Sequence, residues 1–480
     1  MLRPLNRQTV PAHTTLPEKI VQFGGGNFLR AFADWMVDIL NEEAGLAAGV
    51  VIVKPTASGA YTDLIAQDGL YHVRLTGGGD ADTRLIRCIN RIINPYTSFE
   101  AYLSLAQQPS VRFILSNTTE AGITFDPDDR LEDRSANSFP GKLTQFLHAR
   151  FRHFDADPGK GCIILPCELV EQNGDQLGQI VRDYANLWGL ESEFAEWLDA
   201  GSVFCNTLVD RIVPGFPQEK ASAIWQLLGY EDRLLVEAEA YHQWVIEAPA
   251  WAAAELPVQE TALNVRFVED ITPYRELKVR ILNGAHTAMT PVGYLCGLDT
   301  VREVVEDEVV GPYITGLLQE EVLPVLDFPP AERQSYMDAI LERFHNPDIQ
   351  HQLLDIALNS LSKFRVRLLP TLLAFQAEFG HLPKRIVFAL AALVHLYRGQ
   401  RNGEPFSVRD DPAVLAWFNQ LWLDGATWEE MAGMILQQDS FWRKDLTAVP
   451  GLQRELGRYL EQIHVEGMQG SLRQVVAETE

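Results

Sequence analysis

No stretch of the sequence reaches the roughly 18 consecutive apolar residues that a membrane-spanning helix requires. The opening segment, MLRPLNRQTVPAHTTLPEKI, also lacks the apolar core of a secretory leader. Cysteine is sparse. The five thiols, Cys88, Cys162, Cys167, Cys205 and Cys296, are odd in number, scattered, and without the Cys-x-x-Cys spacing of a zinc site. They read as reduced and mostly structural. His345 and His351 have no carboxylate or cysteine at a metal-ligand spacing, so no metal is expected. Positive charge is in deficit: 40 Lys and Arg against 65 Asp and Glu give a net charge of −25, which disfavours nucleic acid and anionic membranes as partners. Any anionic ligand must then be met by a local basic cluster. Internal repeats, low-complexity tracts and long disordered linkers are also missing; residues 401–412 are a polar loop. A soluble protein of the cytoplasm is the expectation.

With 480 residues and 46% hydrophobic content the chain exceeds what one core usually occupies, so two domains are expected. Lys19-Ile-Val-Gln-Phe23 is a short apolar run closed by Gly24-Gly25-Gly26, and a helical pattern follows through Phe28, Phe32, Trp35, Met36 and Ile39. Gly49-Val-Val-Ile-Val-Lys54-Pro55, Val111-Arg-Phe-Ile-Leu-Ser116 and Gly161-Cys-Ile-Ile-Leu165 read as further buried strands. Apolar strands alternating with helices predict an α/β fold with a parallel, doubly wound sheet. Residues 69–91 look like an antiparallel excursion turning at Gly77-Gly78-Gly79. From about residue 220 the texture becomes helical, in 221–246, 300–323 and 384–397. The boundary is expected near residue 263, giving a sheet domain over 1–262 and a mainly α-helical domain over 263–480.

Glycines at the end of a first strand let the backbone approach a pyrophosphate, and the helix that follows offers free N–H groups. Gly24, Gly26 and a helix starting at Asn27 meet that requirement; a plain tight turn would give the same pattern. The dinucleotide fingerprint wants a third glycine where Leu29 stands. At the end of the second strand, where an acidic residue would hold the ribose hydroxyls, there is Lys54. A cation there suits a 2′-phosphate, which leaves NAD and NADP both open on physical grounds.

Residues 273–291 contain a lysine where a hydrophobic residue belongs. At about 100° per residue, Tyr274, Ile281, Leu282, Ala285 and Met289 form one apolar stripe with Lys278 near its centre. Lys278 is therefore expected to be buried, with its pKa lowered toward the range useful for proton transfer. His286 falls roughly 80° and Asn283 roughly 140° from it. Amine and imidazole can converge on one small molecule, and the amide joins them only if the helix bends, which Gly284 permits. Glu276, Arg280 and Thr287 take the opposite face. The alternative is a lysine snorkelling out of a core helix.

Several of these segments together resemble the mannitol dehydrogenase family, the polyol-specific long-chain dehydrogenases. They are Gly24-Gly-Gly-Asn-Phe-Leu-Arg30, Gln67-Asp-Gly-Leu-Tyr71, Asn206-Thr-Leu-Val-Asp-Arg211 and Lys278-x4-Asn283-Gly-x-His286, in the family's order across nearly the whole chain. Asn117-Thr-Thr-Glu-Ala-Gly-Ile123, Pro166-Cys-Glu-Leu169, Leu298-Asp-Thr300 and Tyr397-Arg-Gly-Gln-Arg-Asn-Gly403 resemble the subgroup that reduces D-tagaturonate to D-altronate.

The resemblance implies a Rossmann-type domain, a mostly helical second domain, and a cleft between them where NAD meets a sugar acid. It implies a metal-free reaction with Lys278 as general acid and base. Asn206 and Asn283 match catalytic asparagines that would stabilise the oxyanion, and His286 would orient the substrate. Gly24, Gly25, Gly26, Asn27, Phe28 and Asp68 would contact the cofactor. The candidate basic cluster for the carboxylate is Ser362-Lys363-Phe-Arg365-Val-Arg367, in which Lys363 matches a family residue near the sugar, with His351 shortly upstream; a solvated helix face is the alternative for the cluster, for Arg365 and Arg367 above all. Glu120, at the ligand edge of the sheet, would touch the site or serve only a structural role. Asp210-Arg211 reads as an internal charge pair positioning Asn206. A monomer or weak homo-oligomer is implied. Within the family, fructuronate or a neutral ketose is the alternative substrate. Outside it, a buried lysine also suits Schiff-base chemistry on a keto sugar, and a silent binding protein is the third reading.

Overall fold

The computed structural model describes residues 2–10, 15–59, 61–77, 82–347, 351–423 and 425–478. The chain divides into two compact units, Met1–Ile271 and Thr272–Glu480.

The first unit is built on a six-stranded sheet in which every neighbouring pair is parallel. Its order across the sheet is Ile89–Ile93, Gly49–Val53, Glu18–Phe23, Phe113–Ser116, Ile163–Pro166, Val203–Phe204. Strands of such a sheet bury both faces, which is why they read as unbroken apolar runs. Ile20, Val50, Ile52, Phe113, Leu115, Ile163 and Leu165 enter the core on one face. The intervening Val21, Val51, Val53, Ile114 and Ile164 enter the core on the other. Chain order reverses on the two sides of Glu18–Phe23, so the switch point lies between that strand and Phe113–Ser116.

The predicted excursion is present: Tyr71–Thr76 pairs antiparallel with Thr83–Ile86, and Val236–Glu239 adds parallel to it. Gly78 and Gly79 lie outside the described residues. The helix expected over 221–246 is shorter. Ala221–Leu228 stops at Gly229, whose φ of +78° ends it in the left-handed region. The chain then forms strands, with Gln243–Glu247 antiparallel to Asn206–Asp210 and parallel to Val265–Val268. That last pairing ties residues 265–268 into the first unit.

The second unit is helical. Lys384–Leu396 is buried from Arg385 to its end and packs against Gly284–Leu295 and Leu452–Ala477. Its first N–H groups, on Arg385 and Ile386, donate to the buried Glu321 carboxylate at 2.8 and 2.9 Å. No helix among the described residues is long and apolar enough to cross a membrane.

Asp34, in the helix Ala33–Glu43, is fully buried. Its Oδ2 accepts from the Tyr71 hydroxyl at 2.9 Å and from Gln22 Nε2 at 3.3 Å. Its Oδ1 has no partner. Burial raises its pKa to about 7, against the pull of those hydrogen bonds. The ordinary unfolded value is about 3.9. Its contribution to stability is therefore fully present below about pH 3.9 and is lost progressively as pH rises from there through about 7. Asp34→Asn should melt progressively higher than the wild type as pH goes from 5 to 8. Thermal melts of both proteins across that range test this, and a pH-independent difference would refute it.

Candidate active site

The glycine turn follows from local sterics. Gly24, at the end of Glu18–Phe23, has φ +119°, and a Cβ there would sit 3.2 Å from the Asn117 carbonyl oxygen. Gly25 is closed in by Leu64 and Tyr61, and its N–H donates to the Tyr61 hydroxyl at 3.0 Å. Gly26 is open: a Cβ there meets nothing within 4 Å, and as the N-cap of Asn27–Ala31 it offers no side-chain bond. Room and uncapped N–H groups at a strand's end suit a pyrophosphate. Gln22 Nε2 steadies the turn by donating to the Gly24 carbonyl at 3.0 Å. Leu29, where the fingerprint wants its third glycine, is instead buried in the core. Asn27 is exposed and accepts from Arg30 Nη2 at 2.6 Å, while Phe28 stacks on Phe32 with centroids 4.9 Å apart.

Lys54 is buried at the end of the second strand and its Nζ donates to the Ala57 carbonyl at 2.9 Å. Asp68 occupies an exposed left-handed turn with φ +51°, and its carboxylate accepts the Arg7 N–H at 3.0 Å. The organiser of its motif is Asp232, which sequence reading missed. Its carboxylate accepts from Gln67 Nε2 at 2.8 Å and from the His72 N–H at 2.7 Å. Nothing in the local pattern marks a residue more than 150 positions downstream as that partner. Glu120 begins a 3-10 turn, Glu120–Gly122, after Phe113–Ser116; its side chain lies outside the described residues.

Asn206 opens the strand Asn206–Asp210 and is buried. Its Nδ2 donates to Asp175 Oδ2 at 3.0 Å and to Glu247 Oε1 at 3.1 Å, while its Oδ1 accepts the Asp175 N–H at 3.1 Å. An amide has two N–H donors, and both already meet carboxylates, so an oxyanion would have to displace one of them. Glu247 Oε2 also accepts the N–H of Ile271 at 2.9 Å. Arg211 donates to the carbonyls of Glu239 and Ala31 at 2.9 and 2.7 Å and lies over the Trp35 ring.

In the second unit, the helix Thr272–Lys278 passes into a π-helical stretch, Val279–Asn283, and then into Gly284–Leu295. Lys278 is half-buried rather than buried, and Thr287 on the supposed outer face is buried. The projection assumed an unbroken 3.6-residue repeat, and a π turn with its i→i+5 bond shifts every later residue around the axis. Lys278 and Asn283 are separated by the i→i+5 spacing of that turn rather than by a regular helical repeat. Gly284 belongs to this packing, since a Cβ there would sit 3.3 Å from Leu368 Cδ2.

His286 is 9% exposed. Its ring lies 5.0 Å from that of His351 and 4.9 Å from Phe344. Burial lowers the pKa of His351, with Lys363 acting in the same direction. On Ser360–Arg367, Lys363 and Arg367 stand one turn apart. Burial lowers the pKa of both, and the Arg367 charge lowers that of Lys363 further. Arg367 Nη1 donates to Thr287 Oγ1 at 3.3 Å, next in sequence to His286, and Lys363 Nζ donates to the Ile356 carbonyl at 2.8 Å. Arg365 turns elsewhere and donates to the Phe441 carbonyl at 3.0 Å. Among the described residues no group of three or more His, Cys, Asp or Glu could hold a metal ion.

Gly174, which follows Asn173, lets the start of Asn173–Leu187 meet the strand: a Cβ there would run into the Cys205 backbone and sit 2.8 Å from the Asn206 nitrogen. Gly174→Ala should destabilise the protein by about 1–3 kcal/mol through overpacking. The shift of Asn206 and Asp175 should also lower turnover. Denaturant melts and initial rates test this, and a variant matching the wild type in both would refute it.

The mannitol dehydrogenase Rossmann domain matches residues 18–260, and the mannitol dehydrogenase C-terminal domain matches residues 270–464. An altronate oxidoreductase of Cronobacter sakazakii is 47% identical over 476 residues, covering 97% of this chain and 98% of the relative. One from Escherichia coli is 46% identical over 481 residues, covering 98% and 99%. Among solved structures, Pseudomonas fluorescens mannitol 2-dehydrogenase, in ternary complex with NAD and D-mannitol, aligns with a TM-score of 0.70 at 24% identity over 99% of this chain and 100% of its own. A substrate-free D-sorbitol dehydrogenase aligns with a TM-score of 0.82 at 23% identity over 98% and 100%, and these two likenesses speak for the fold. The chain thus belongs to the mannitol dehydrogenase family, and it is an oxidoreductase acting on a CH–OH group.

Proposed function

We propose that this chain reversibly reduces D-tagaturonate to D-altronate with NAD(H). Its full-length relatives are named altronate oxidoreductase. The observation that carries the substrate class is the Lys363 and Arg367 pair. Two like charges one helical turn apart repel, and both are partly withdrawn from water beside the His286 segment. An anionic substrate group relieves that repulsion. A bidentate arginine suits a carboxylate, so Arg367 takes the role expected of Arg365, with Lys363 beside it and His351 lining the same cluster.

The turn at Gly24, Gly25 and Gly26, with Asn27 and Phe28, holds the dinucleotide, which supplies or accepts hydride when bound. Lys54, already committed to the Ala57 carbonyl, supports NAD over a 2′-phosphorylated cofactor. As charge builds on the ketone oxygen, Lys278 delivers a proton to it, and in the oxidative direction removes the proton from the hydroxyl. The Asn283 amide donates to the same oxygen. Asn206, its amide shared by Asp175 and Glu247, is the more constrained of the two asparagines. His286 bonds a neighbouring hydroxyl and fixes which carbon faces the hydride.

The test is consumption of NADH, and separately NADPH, with D-tagaturonate, D-fructuronate and D-fructose. Selective turnover of tagaturonate with NADH is expected. Preference for fructose would sink the carboxylate argument while leaving the family intact. Lys278→Ala should lower kcat by about 10²–10⁴-fold with NADH binding retained; survival of turnover would refute the lysine mechanism. Arg367→Met should raise KM for the sugar acid by roughly 10- to 100-fold, the loss of one charged hydrogen bond, and leave KM for NADH unchanged. Equal effects on both would place Arg367 in a purely structural role.

A further inference from the structure

Thr119 follows the strand Phe113–Ser116 with φ +83° and ψ 164°. That region belongs essentially to glycine, and a β-branched residue there is strained. Such a residue persists only where its surroundings over-determine it, and here they do. The Glu168 side chain, 2% exposed at the end of the neighbouring strand, takes hold of the turn. Its Oε1 accepts the N–H and the hydroxyl of Thr118, each at 2.9 Å, and its Oε2 accepts the Ser116 hydroxyl at 2.9 Å. Asn117 Nδ2 donates to the Cys167 carbonyl at 2.7 Å. On the far side, the Gly122 N–H donates to the Thr119 carbonyl at 3.0 Å, and a Cβ on Gly122 would strike the Thr118 side chain.

The position gives the strain a purpose. Ser116 pairs with Phe23 on one side and Pro166 on the other, so this turn leaves the sheet beside the glycine turn. The two turns flank the point where strand order reverses, which is where open α/β sheets bind their ligands. Thr119 is exposed there. A carboxylate buried at a cost grips Thr118, and the exposed residue that follows it is held in a conformation that costs more, which fits a rigid ligand contact better than a packing device.

We infer that the Thr118–Thr119 turn is a positioning element for the dinucleotide cofactor, held in its strained conformation by Glu168. This rests on the reading that the chain uses NAD(H). Glu168 acts through the turn and is a positioning residue rather than a catalytic one.

The experiment compares wild type, Thr119→Gly, Glu168→Gln and Glu168→Ala for thermal midpoint, NADH affinity by fluorescence titration, and kcat with the ketose that the wild type reduces. Thr119→Gly relieves the strain, so it should melt above the wild type while its Kd for NADH rises at least fivefold. Glu168→Gln keeps an acceptor for Thr118 and should bind NADH more tightly than Glu168→Ala. A Thr119→Gly protein that melts lower than the wild type, or binds NADH within twofold of it, overturns the inference, whether or not Glu168→Ala folds. A wild type that binds no NADH overturns the cofactor reading itself, and this inference with it.

Discussion

The strand Glu18–Phe23 has a parallel neighbour on each side and core on both faces. Its backbone is consumed by the sheet and its side chains by packing, so chemistry is left to the loops at the carboxyl ends of the strands. The glycine turn, Lys54, the Thr118–Thr119 turn and Glu168 all sit at such ends, each on a different strand of the same sheet. The rigidity of the sheet sets how accurately the turns are held relative to one another.

Burying polar groups is expensive unless they are hydrogen-bonded, and the chain turns that cost into positioning. Asp232 collects the backbone of His72 and the side chain of Gln67, Glu168 collects Ser116 and Thr118, and Glu321 receives the first N–H groups of the central helix of the second unit. Each carboxylate joins segments far apart in sequence or fixes where an element begins. Burial raises Asp34 and Glu321 alike to about 7, so both arrangements carry a pH dependence of the same sign. Asp34 serves the glycine turn through Gln22, which bonds both that carboxylate and the Gly24 carbonyl.

In the second unit the decisive device is the π-helical stretch Val279–Asn283. It breaks the spacing that a regular helix would give and leaves Lys278 and Asn283 an i→i+5 turn apart. π segments cost hydrogen-bond geometry and recur at functional sites. Here the stretch lies between the lysine and the histidine of the motif, where a regular helix would separate the amide from the amine. Across the packed helices, Arg367 reaches Thr287 and His351 reaches His286. The basic cluster therefore depends on contacts between elements rather than on any one of them.

The four apolar runs 19–23, 49–53, 111–116 and 161–165, the glycine turn, the excursion at 71–86 and the helix Lys384–Leu396 were all legible in the sequence. Hydrophobic continuity and glycine placement are local consequences of burial and backbone sterics. The residues 221–246 were misread because an amphipathic strand and an amphipathic helix share composition over short spans, and only Gly229 marked the change. The half-burial of Lys278, the turning away of Arg365, the engagement of Asn206 by Asp175 and Glu247, and the role of Asp232 were settled by tertiary structure alone. Each depends on a partner brought close by folding or on a break in helical repeat, and no one-dimensional spacing carries that information.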